Sequence, residues 1–133
     1  MDIAGLTAGN APVKDMRGLS ISPAAAAELL GAAGWLVLRL NCSAIRDRGE
    51  LFSACAAALG REYFAANWDG FTDALRSLPY DLKGRPGYAL ILERYEALFS
   101  SEPAALPAFL ESVADARESL AGEHGAGLAV LAF

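Results

Sequence analysis

A chain of 133 residues, 54% of them hydrophobic, fits one domain with material for a core that needs no disulfide or metal staple. Its formal net charge of −5 argues against a nucleic-acid binder, which carries a basic face to neutralise phosphates, and disfavours attachment to an anionic membrane. The acidity is uneven: residues 1–48 hold five Lys/Arg against four Asp/Glu, and residues 49–133 hold six against twelve, so the net charge passes from +1 to −6. A basic protein partner and simple solubility are both physical reasons for such a bias.

Residues 1–21 scatter Gly, Asn and Pro with no apolar period and read as a loose extension, dispensable for the core. No cationic start followed by an apolar stretch occurs in residues 1–15, so no secretory signal is expected. Ser22 as N-cap and Pro23 as first helical residue then open an Ala-rich helix, which Gly31 and Gly34 end. Residues 35–40 (WLVLRL) are an apolar run, interrupted only by Arg39, of the kind that suits a buried parallel strand. Residues 24–40 together are largely apolar, but Glu28, Arg39, two glycines and the short length make them a helix followed by a strand, not a membrane span. Asp47 is placed to cap the next helix, with Glu50 as its capping-box partner; Leu51, Phe52, Cys55 and Leu59 form the apolar stripe and Gly60 closes it.

A linker over 61–66 carries the aromatic pair Tyr63 and Phe64. Asn67 caps a further helix in which Trp68, Phe71, Leu75 and Leu78 recur at helical spacing until Pro79. After a loop at 81–87, residues 88–92 (YALIL) form a second strand that ends at Glu93. A short helix over 95–100 precedes a longer one, with Pro107 in its first turn and a stripe of Phe109, Leu110, Val113, Ala116 and Leu120. A loop at 122–127 (GEHGAG) leads into a third strand at 128–133. None of the three strands alternates polar with apolar residues. The fold class expected is therefore α/β: a small three-stranded parallel sheet packed by helices, with residues 1–34 as an N-terminal extension and 35–133 as the main domain.

Enzyme chemistry finds little support. His124, the single histidine, falls in a Gly-rich loop and would be the only imidazole base. Cys42 and Cys55 form no C-x-x-C pair and have no zinc-like spacing to His124; they read as small buried hydrophobes in a reducing compartment. Gly125 and Gly127 precede a strand, so no helix N-terminus follows them to bind a phosphate. Asp69 and Asp73 stand one turn apart and point the same way, leaving no room for a sugar between them. Catalytic residues, metal and cofactor are all expected to be absent.

The helix from Asn67 is the informative piece. At about 100° per residue, Trp68, Phe71, Leu75 and Leu78 share one side, and Asp69, Thr72, Asp73 and Arg76 share the other. Two like charges at i and i+4 cost a helix roughly 0.2–0.5 kcal/mol. Tyr63 and Phe64 just ahead of it bring aromatic groups toward acidic ones, a combination typical of protein interfaces. The run from Tyr63 through Phe64, Asn67, Asp69, Asp73 and Ala74 to Leu75 resembles the loop-helix signature of the barstar family of intracellular ribonuclease inhibitors.

The likeness extends, less specifically, over about 36–133. Residues 38–45 resemble the family's first strand and its exit, 89–93 (ALILE) its second strand, 109–116 its last helix and 128–133 its final strand. It departs at Thr72, where the family has an aromatic contact residue, and at Gly70, which weakens the helix by up to ~1 kcal/mol. The resemblance assigns Tyr63, Asp69, Asp73 and Asp115 to a partner surface, with the carboxylates taking the place of RNA phosphates, and Phe64, Asn67 and Thr72 beside them complete the expected partner-binding set. It implies a cytoplasmic inhibitor or immunity protein, monomeric when free, that binds a basic ribonuclease or other basic protein and touches neither nucleic acid nor membrane. The competing expectation is a barstar-like interaction module with a non-nuclease partner.

Overall fold

A computed structural model of the protein describes residues 1–60, 66–77 and 84–133. Four parallel strands form one sheet: β1 (Lys14–Asp15), β2 (Leu36–Asn41), β3 (Gly87–Glu93) and β4 (Gly127–Ala132), in the spatial order β1-β4-β3-β2. The helices are α1 (Ile3–Thr7), α2 (Pro23–Ala32), α3 (Arg48–Ala58), α4 (Trp68–Ser77) and α5 (Ala105–His124), with short 3-10 turns at Cys42–Ala44 and Tyr95–Ala97. The α/β class and the parallel sheet agree with the sequence reading, but the sheet has four strands, not three. Among the described residues, no helix is long and apolar enough to cross a membrane.

Both faces of the sheet are covered, which is why β3 and β4 are apolar throughout. Tyr88, Leu90, Leu92, Leu128 and Val130 point to one side and meet α3, α4 and α5 through Leu51, Phe52, Phe71, Phe109, Val113 and Leu120. Ala89, Ile91, Ala129 and Leu131 point to the other side and meet Leu6, Met16, Ala26 and Leu30. β2 is an edge strand with Leu36, Val37 and Leu38 half-buried and Arg39 exposed, so the fully buried strand expected there is corrected.

The loose extension is corrected too. Leu6 and Met16 are each only 1% exposed. Lys14 and Asp15 pair with Leu131 and Ala132, and the Met16 N–H donates to the Ala132 carbonyl at 2.8 Å. Arg117 ties the segment down from α5: its guanidinium donates to the carbonyls of Ala11, Gly9 and, at 3.0 Å, Leu128. A five-residue helix and a two-residue strand are too short to produce a readable period.

Caps decide the helix boundaries. Ser22 Oγ accepts from the Ala25 N–H at 3.0 Å with Pro23 at the helix start, as expected. The helix then runs past Gly31 to Ala32, and the turn is made by Gly34 at φ +89°. Asp47 caps α3 by accepting from the Glu50 N–H at 2.8 Å, but Glu50 reaches one residue further back than a capping box requires, to the Arg46 N–H and guanidinium. α5 continues through Gly122 to His124 and stops at Gly125, which holds the left-handed conformation at φ +63°. His124 thus ends a helix and does not lie in a loop. At the start of β3, Gly87 faces Gly127, and a Cβ on Gly87 would stand 2.3 Å from the Gly127 carbonyl oxygen.

Candidate functional site: an acidic groove between two helices

α4 is placed by an aromatic seam. Phe52 meets Trp68 edge-to-face at 5.2 Å between ring centroids, Phe71 stands 5.8 Å from Trp68, and Phe109 of α5 stands 6.1 Å from Phe71. Phe71 and Leu75 are fully buried and Trp68 is half-buried. The buried Tyr88 hydroxyl donates to the Leu75 carbonyl, satisfying one of the last carbonyls of α4 from the head of β3. Leu78 and Pro79, expected to complete the stripe and stop the helix, lie outside the described residues, as do Tyr63 and Phe64.

Asn67 fixes the other end. Its Oδ1 accepts from the Gly70 N–H at 2.7 Å and its carbonyl from the Phe71 N–H at 3.0 Å, so it is the N-cap predicted from sequence. Asp69 sits in the first turn, where the free N–H groups of the helix favour a carboxylate.

With the apolar side of α4 turned into the seam, its polar side faces outward beside α5. Asp69, Thr72, Asp73 and Arg76 of α4 and Asp115 of α5 line one open groove of about 460 Å³. Asp69, Asp73 and Asp115 are all exposed. Thr72 is half-buried, and its hydroxyl turns back to donate to the Trp68 carbonyl at 2.9 Å. The Arg76 guanidinium donates to Asp73 Oδ1, so one of the three acids already holds a cation.

The groove continues past Trp68 to Glu111 and the buried Ser112. Sequence reading passed over Glu111, although its position one turn before Asp115 on the same helix was a usable signal. Among the described residues, no group of three or more His, Cys, Asp or Glu side chains is arranged to hold a metal ion.

Residues 35–132 match the family model for Barstar (barnase inhibitor). The chain belongs to the barstar family. No curated protein matches the chain as a relative. All five described residues of the expected partner surface, Asn67, Asp69, Thr72, Asp73 and Asp115, fall within the matched span, as do Arg76 and Glu111. The segment carrying α1, β1 and α2 precedes it. The barstar region therefore supplies the acidic groove and three strands, while residues before 35 supply the fourth strand and the cover on the sheet's other face.

Proposed function

We propose that this barstar-family chain inhibits a basic ribonuclease by seating the groove between α4 and α5 on the enzyme's cationic cleft. One observation carries the reading: Asp69, Asp73 and Asp115, from two different helices, stand exposed around a single groove. Carboxylates in that arrangement accept charge-assisted bonds from Arg and Lys groups that otherwise hold RNA phosphates. The acidic balance of residues 49–133 steers a basic partner toward the chain. In this reading Tyr63 and Phe64, which precede α4 in the sequence, also contact the partner, residues 35–133 form the recognition unit and residues 1–34 its N-terminal addition. The protein is an immunity or antitoxin component rather than an enzyme, needs no cofactor and is a monomer before it meets its partner. A cytoplasmic, reducing setting accords with two buried free cysteines.

Arg76 favours a second reading, a barstar-fold module for a non-nuclease partner. A cation bonded to Asp73 inside the groove suits a partner that presents an acid of its own.

Titration of wild type, Asp69→Asn and Asp73→Asn against a basic ribonuclease, at low and physiological salt, tests the first reading. Each substitution should cost about 1.5–3 kcal/mol, the worth of one charge-assisted hydrogen bond, or roughly 10- to 150-fold in Kd. Association should slow as salt rises, because steering is screened beyond about 8 Å at physiological ionic strength. Equal affinity in all three proteins would leave the groove as ordinary solvated surface. Binding that leaves ribonuclease activity intact would favour the module.

A further inference from the structure

All four strands are parallel, so their carboxyl ends lie at one end of the sheet, remote in sequence from the acidic groove. The residues found there line a single crevice of about 540 Å³: Met16 just after β1, Asn41 ending β2, Glu93 ending β3 and Phe133 just after β4. That volume is the size of a small-molecule site. The chain leaves β1 for α2 on one face of the sheet, and leaves β2 and β3 for helices on the other. Open parallel sheets take ligands at their carboxyl ends, where the connections diverge to opposite faces. Met16, Arg17, Gly18, Leu19 and Ile21, which line one part of it, precede the span matched to the barstar family.

The crevice is chemically divided. Met16, Ile21 and Phe133 supply an apolar wall. Of the charges around it, Glu93 is held by Arg39 at 2.8 Å, and Arg17 by Asp15 at 2.9 Å while it also lies over the Tyr95 ring. Arg94 has no ion-pair partner among the described residues. It stands at φ +56° and ψ +50°, a left-handed conformation that favours Gly or Asn, yet the position carries a long cation. Glu96 lies on the rim as an opposing charge.

We propose that this crevice binds a small organic anion, a carboxylate or phosphate ester on an apolar body. Arg94 holds the charged end, and Met16, Ile21 and Phe133 pack the apolar end.

Isothermal titration of the full chain with phenyl phosphate and with benzoate tests this, with phenol and inorganic phosphate as the two halves offered separately. The whole anions should bind at one site, and each half at least tenfold more weakly. R94N keeps a residue that tolerates the left-handed backbone and removes the charge. It should weaken phenyl phosphate tenfold or more at an unchanged melting temperature, whereas R94K should retain most of the binding. E96Q should bind as tightly or more tightly. Stronger binding of phenyl phosphate than of benzoate assigns the site to phosphate esters, and the reverse to carboxylates. Absence of binding by both, inorganic phosphate binding as well as phenyl phosphate, or indifference to R94N would overturn the proposal. D69N should leave the titration unchanged, so the outcome is independent of the ribonuclease experiment.

Discussion

The two faces of the sheet are built by the same strands from different materials. One face sets Tyr88, Leu90, Leu92, Leu128 and Val130 against four buried phenylalanines and the aliphatic residues of three helices. Among the described residues, the other sets Ala89, Ala129, Ile91 and Leu131 against Leu6, Met16, Ala26 and Leu30, with Ile3, Ile21, Leu29 and Trp35 partly buried beside them. The fully buried side chains on that face are Ala, Leu, Ile and Met, so α1, β1 and α2 seal it without an aromatic seam. The difference teaches that a second face can be structural while contributing almost no sequence period.

Removing residues 1–21 is the strongest way to break the comparison. It deletes two side chains that are 1% exposed, each worth about 2–5 kcal/mol when truncated in a core, and strips β1 from the edge of β4. Native domains hold only about 5–15 kcal/mol in total. The truncated chain should therefore lose cooperative unfolding or melt far below the full chain in a thermal scan. Melting at nearly the same temperature would make the second face a passenger on a barstar domain that stands alone. Met16→Ala is the milder form, and should cost about 2–5 kcal/mol in a urea titration.

Legibility in the sequence followed the same division. α4 was readable because Trp68, Phe71 and Leu75 repeat over ten residues with a side-chain N-cap before them. β3 and β4 were readable as unbroken apolar runs. The groove acids Asp69 and Asp73 followed from helical phase alone, and Asp115 entered only through the resemblance. β1 was not legible, because two residues paired with Leu131 and Ala132 have no pattern of their own. Nor was the hold on the N-terminal segment, since Arg117 reaches Ala11 and Gly9 across more than a hundred residues of chain. The exposed edge of β2 was hidden because Leu36, Val37 and Leu38 read the same whether one neighbouring strand is present or two.

A smaller effect sharpens the contrast through the cysteines, both of which belong to the aromatic face. Burial pushes the Cys42 and Cys55 thiols up to about 12. The folded protein then keeps these protons to a higher pH than the unfolded chain, in which a thiol titrates near its ordinary value. The stability this provides is full below about pH 9 and falls as pH rises toward 12. Denaturant titrations at pH 7, 9 and 10.5 should show stability declining on the alkaline side. The double variant Cys42→Ala/Cys55→Ala should be weaker at pH 7 and decline less steeply above pH 9. A Met16→Leu control, which alters only the other face, should keep the wild-type slope. Parallel curves for all three proteins would mean that the alkaline loss comes from elsewhere.

The smallest effect on folding is expected at Arg39, where the two edges of the sheet can be compared. β1 offers two residues at one edge; β2 offers six at the other, and such an edge is open to pairing with another chain unless a charge interrupts it. Arg39 is that charge. It is held outward by a bidentate pair with Glu93, at 2.8 and 3.1 Å, and the half-exposed pair is worth at most about 1 kcal/mol. Arg39→Val removes the pair and adds a β-branched residue that strands favour, so the two changes partly offset and the urea midpoint should move little. What should change is association: the edge becomes five consecutive apolar residues, and light scattering should grow with protein concentration. Arg39→Lys keeps a charge at the edge and should stay monodisperse. If Arg39→Val also stays monodisperse at the highest concentration reached, β2 is protected by its twist or its neighbours, and Arg39 serves only to hold Glu93 at the mouth of the strand-end crevice.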